Sequence, residues 1–85
     1  MRLRKQALGT RNIAGPRVEQ ARKEKGLRQK ELLAQLQAYG LDMNSSGLSK
    51  LEGQLRNATD IELAALADIL DVSVDRLLGR EERDA

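Results

Sequence analysis

The chain is expected to fold as a compact all-α domain of five helices, and three observations in its 85 residues lead there. Fifteen Leu stand against three Ile, three Val, one Tyr and neither Phe nor Trp, a composition that suits helices rather than strands. The apolar positions recur three and four residues apart, the helical period. Punctuation separates them: Gly26, Gly40 and Gly79 fall where helices stop, and Asn44, Thr59 and Ser73 where they start. A chain of this length makes one domain.

Residues 1–14 are basic, weakly periodic and contain Gly9, so they read as a flexible arm before a domain over 15–79 and a charged tail over 80–85. Pro16 suits the first helical position, where its missing N–H has no partner to lose. It predicts a helix over about 16–25, with Val18 and Ala21 inward and Gly26 as its stop. A second helix is expected from Leu27 to about Tyr39, with Leu32, Leu33 and Leu36 on one face. Its start is the weakest, because Arg28 stands where Ser, Thr, Asp or Asn would normally cap. Asn44 caps a third helix over about 45–55. Thr59 and Glu62 match a capping box, opening a fourth helix that carries Leu63, Leu66, Ala67 and Leu70. Ser73 caps a short fifth, with Val74, Leu77 and Leu78 expected inward.

With no Cys and no His there is no disulfide, no thiol nucleophile and no imidazole, and neither catalysis nor a metal or cofactor is expected. Asp68, Asp71 and Asp75 read as solvated carboxylates rather than an active site. No run of 18 apolar residues occurs, so a soluble cytoplasmic protein is expected. The net charge of +2 conceals an asymmetry: residues 1–30 carry +8 and residues 31–85 carry −6. Such a chain can turn one part to a polyanion and the other to water, although a basic tail on an ordinary surface gives the same balance.

On a helical wheel Leu48, Leu51 and Leu55 of the third helix share one sector, which must enter the core. The opposite face is then Ser46, Ser49, Lys50 and Gly53, flanked by Ser45 and Glu52, with Asn44 at the tip. Small polar side chains let a helix enter a major groove about 12 Å wide, where Ser, Asn and Lys can meet base edges. A solvated polar face has the same pattern, and only its context separates the two.

That context is a resemblance. The stretch 26–33, Gly-Leu-Arg-Gln-Lys-Glu-Leu-Leu, is followed by Leu-Ser-Lys-Leu-Glu at 48–52, and then by the Leu-rich 63–70 and Val-Ser-Val-Asp-Arg-Leu-Leu at 72–78. This order over about residues 16–79 resembles the lambda-repressor-like, phage-repressor (XRE, Cro/CI-type) family of helix-turn-helix DNA-binding domains. Residues 11–18 and 58–63 resemble a bacterial subgroup of it. The resemblance implies that Gln29 contacts a phosphate, that Ser45, Ser46 and Lys50 read bases with Ser49 on the same DNA-facing side, and that Arg22 and Glu52 form a structural pair; Asn44 at the tip joins the base contacts on its own chemistry, since an Asn can bond adenine through both amide atoms. The sequence departs from the family in a longer turn before the third helix and in Gly53, Gln54 and Leu55, which replace the usual basic residue, glycine and basic residue.

The expectation is therefore double-stranded DNA binding by a repressor-like transcriptional regulator. Arg28, Gln29, Lys30 and Arg56 would hold phosphates, and Arg2, Arg4, Lys5 and Arg11 of the arm would reach along the duplex unless the arm is simply disordered. A homodimer through residues 72–80 is expected, because one domain touches too few base pairs. The competing expectation is a protein-interaction module or antitoxin-type regulator that chiefly binds a partner protein.

Overall fold

The computed structural model describes residues 9–80. Five helices are present: α1 (Gly15–Glu24), α2 (Gln29–Tyr39), α3 (Ser45–Glu52), α4 (Asp60–Leu70) and α5 (Val74–Leu77). None of the described helices is long and apolar enough to cross a membrane.

The core is built of leucine. Leu32, Leu36, Leu48, Leu51, Leu66 and Leu77, with Val18, are fully buried, and Ala14, Ala21, Met43, Ala65, Ala67 and Leu70 complete the cluster. Each helix contributes one stripe: α1 packs on α3, α4 and α5, and α2 packs on α3 and α4. Burying a Leu stabilises by about 1.5–3 kcal/mol, so this cluster is the main force holding the helices together. At the far end of α2 the exposed Tyr39 hydroxyl donates to Asp68 of α4, and that bond together with the carboxylate's charge raises the phenol's pKa.

The starts follow the expected caps. Asn44 Oδ1 accepts the Gly47 N–H at 2.7 Å, Ser73 Oγ the Arg76 N–H at 2.9 Å, and Thr59 and Glu62 close a reciprocal box at 3.1 and 3.0 Å. Arg28 is indeed the N-cap of α2 and has no acceptor to offer; Glu31 compensates by accepting the Arg28 N–H at 2.8 Å.

Three expectations need correction. The third helix ends at Glu52, short of Leu55, because Gln54 adopts a left-handed φ of 62° and closes the helix with bonds from Gln54 N to Leu51 O and from Leu55 N to Lys50 O. Val74 is 36% exposed: α5 is a single turn, and its first side chain leans outward past the start while Leu77 takes the core position. Residues 9–14, expected within the arm, lie against the domain, where Gly9 N and Arg11 N donate to Gly53 O and Gln54 O and Ala14 is buried. The remainder of the expected arm, 1–8, and tail residues 81–85 lie outside the described residues.

Candidate nucleic-acid interface

The carboxylate of Glu52, at the last position of α3, is 2% exposed and accepts from two other helices. Arg22 of α1 donates to both of its oxygens, at 2.8 and 3.0 Å, and Gln29 Nε2 of α2 donates to Oε1 at 2.8 Å. A third Arg22 donor reaches Leu27 O, in the turn leading to α2, at 2.8 Å. A buried ion pair contributes little net attraction after desolvation, but among the described residues no buried side-chain nitrogen or oxygen is left without a hydrogen-bond partner. Its effect is orientation: α1, the start of α2 and the end of α3 are tied at one point.

Gln29 continues the chain outward. A carboxylate only accepts, so the amide must turn its Nε2 to Glu52, which leaves Oε1 to accept the Ser49 hydroxyl at 3.2 Å. The structure thus brings Arg22, Glu52, Gln29 and Ser49 together. Ser49 keeps acceptor capacity, and Gln29 keeps one N–H beside the α2 N-terminus, whose free amides and dipole favour an anion.

Ser45, Ser46, Ser49 and Lys50 are all exposed on α3, with Arg28 and Lys30 exposed at the start of α2. Asn44 directs its Oδ1 to capping, which leaves its Nδ2 group available to donate. Arg28 lies 3.8 Å from Glu31, a loose pairing that an exposed site makes weak. The exposed face of α3 carries no free carboxylate, since its only acid is the engaged Glu52.

Arg56 is placed differently from the expectation. Four of its five N–H groups are taken: Nε by Gly47 O at 2.9 Å, Nη1 by Asn57 O and Glu62, and Nη2 by Glu62 at 3.1 Å. The guanidinium braces the loop between the first turns of α3 and α4. Burial pushes the Glu62 carboxyl up, but hydrogen bonds from Arg56 and from the Thr59 backbone, with the Arg56 charge, outweigh it and hold the pKa below the ordinary value.

Sequence reasoning misses Asn12. Its Oδ1 accepts the Gly15 N–H at 2.6 Å, entering α1, while Nδ2 donates to Leu51 O at 3.1 Å and Arg56 O at 2.8 Å. The N-cap position itself belongs to Ala14, so Asn12 stands two residues outside the place where a cap signal is read, and its long-range bonds to Leu51 and Arg56 leave no local pattern.

A polar helix presented by a preceding helix across a turn, over an all-helical core, defines a helix-turn-helix protein. No family model matches the chain, and no curated protein matches it. Among solved structures it is similar to a chain of the SinR protein/SinI protein complex, with 34% identity and a TM-score of 0.66 over 86% of this chain and 69% of that one. The chain belongs to the lambda-repressor-like (XRE) family of helix-turn-helix DNA-binding regulators, a family of non-enzymes.

Proposed function

We propose that this chain is a sequence-specific, repressor-like regulator that binds double-stranded DNA in the cytoplasm as a homodimer. The observation that carries this reading is the acid-poor, hydroxyl-lined face of α3, with Ser45, Ser46, Ser49 and Lys50 exposed above a helix end anchored by Arg22, Glu52 and Gln29. In this reading the hydroxyls, Asn44 and Lys50 meet base edges, while Arg28, Lys30 and the remaining Gln29 N–H meet phosphates. Arg56 contributes by shaping the loop. The dimer surface lies along residues 72–80, where Val74 is exposed and Leu78 only partly buried.

The test is a titration of the purified chain against duplexes enriched from a random pool, repeated across salt. Binding that selects a sequence and weakens linearly in log–log form with salt supports the reading. Failure to enrich any sequence, or salt-independent binding, overturns it.

A second reading is favoured by one observation: the similar structure is a complex of two proteins. Ile13, Tyr39 and Ile61 are exposed outside the α3 face, and a regulator of this kind can bind a partner protein there. Co-purification with a protein, combined with no DNA selection, would favour it.

A further inference from the structure

With Arg56 engaged, the loop that follows α3 has no free cation of its own, for residues 53–59 contain no other Lys or Arg. A cation nevertheless stands beside it. Residues 9–12 run alongside 51–56, and their donors meet four carbonyls: Gly9 N to Gly53 O at 3.0 Å, Arg11 N to Gln54 O at 3.1 Å, and Asn12 Nδ2 to Leu51 O and Arg56 O. Gln54 returns the contact by donating Nε2 to Asn12 O at 2.9 Å.

The approach is close. A Cβ on Gly9 would stand 2.0 Å from Gln54 O, and one on Gly15 2.5 Å from Leu51 O, so both positions demand glycine. Carbonyls around the end of the reading helix are therefore satisfied by the segment before α1. One consequence is that the Arg11 backbone is held in register with the loop. Its side chain is exposed, borders a shallow groove with Asn57, and meets no carboxylate among the described residues. From Gly53 to Thr59 the loop has no acid either.

We propose that Arg11 is a DNA phosphate contact flanking the reading helix, and that Asn12 is the positioning residue that holds it there. The inference rests on the DNA-binding reading above. It also changes the standing of Arg11, from one charge on an arm to a cation presented by the folded domain, at the loop where Arg56 was expected to act. Pre-ordering matters, because a fixed guanidinium loses less conformational entropy on binding than one on a free segment.

The experiment compares the full chain with Arg11→Ala, Asn12→Ala and Lys23→Ala across a salt series on an enriched duplex and on a scrambled one. Lys23→Ala removes the same charge from an exposed position of α1 that is paired with Glu19. Arg11→Ala is expected to weaken both duplexes several-fold and equally, with the salt slope reduced by about one, and with thermal stability unchanged. Asn12→Ala should lower the melting temperature and also flatten the slope, although Arg11 is still present. A role confined to stability would leave that slope alone, and this result would overturn the positioning part. Arg11→Ala indistinguishable from Lys23→Ala, in a chain whose parent binds DNA, overturns the Arg11 contact alone. A parent chain that binds no DNA overturns both this inference and the reading beneath it.

Discussion

Glu52 shows how much one side chain can organise: it receives Arg22 twice and Gln29 once, joining three helices at the end of α3. Truncating it leaves a guanidinium that is 7% exposed without its partner, and such a loss costs roughly 3–5 kcal/mol. Glu52→Ala should therefore lower the unfolding free energy from denaturant titration by that much, while the double change Arg22→Met, Glu52→Leu should lose far less, since neither charge is then stranded. The Arg22–Glu52 pair was legible from the family resemblance. The hydrogen bonds of Gln29 to Glu52 and Ser49 were not, because they depend on a crossing geometry that no local pattern encodes. Lys50 belongs to the same scale: Lys50→Ala should cost about 1–3 kcal/mol at one base position and blur the preference there, as read from selected sequences. For Glu62 the sign follows from its depressed pKa. The carboxylate contributes stability above the ordinary glutamate range, and that contribution disappears as pH falls through the lower folded value. Melts from neutral pH to about pH 3 should show a stability gap between the parent and Glu62→Gln that closes only in acid.

At the scale of the element, all five helices end alike. The N–H that follows the left-handed residue beyond each helix bonds back five residues, across the last turn: Leu27 to Arg22, Leu41 to Leu36, Leu55 to Lys50, Val72 to Ala67 and Arg80 to Asp75. In three cases the left-handed residue is Gly26, Gly40 or Gly79, and those stops were legible in the sequence. In the other two it is Gln54 and Asp71; after α3 the glycine, Gly53, stands one residue before the left-handed position, so the apolar Leu55 drew the expected end of the third helix three residues too far. Different costs follow. Asp71 sets a carboxylate at the negative end of α4, whose last turn holds no basic residue. Asp71→Asn keeps a residue tolerant of that backbone and removes the clash with the helix dipole, so it should stabilise by about 0.3–1 kcal/mol and raise the Tm by a few degrees. Gln54 is different, because its side chain holds Asn12. Relief of about 1 kcal/mol in Gln54→Gly is offset by a hydrogen bond of similar worth, and near-neutral stability is expected.

At the scale of the whole molecule, the domain measures 37 × 32 × 24 Å and α3, the proposed reading helix, has only eight residues, about 12 Å of helix. One such helix spans a few base pairs, so a lone domain discriminates poorly. Two copies paired about a two-fold axis, as proposed, set their α3 helices apart by twice the distance of α3 from that axis, so the roughly 34 Å of one DNA turn asks for an axis about 17 Å from α3, which a domain of these extents allows. The overall helical class and most caps were readable from the sequence, but this spacing was not, since it depends on how the helices pack into a body of definite width. Duplexes enriched from a random pool should accordingly contain two inverted half-sites whose centres lie about 10–11 base pairs apart. Inserting five base pairs between them would rotate one half-site by about half a turn and should abolish joint binding, whereas inserting a full turn would restore the facing but stretch the separation to about 68 Å, which a dimer whose fixed spacing matches one turn does not fit. An enriched site with a single half and no symmetry, bound with one protomer per duplex, would remove the dimer from the mechanism while leaving the α3 reading surface intact.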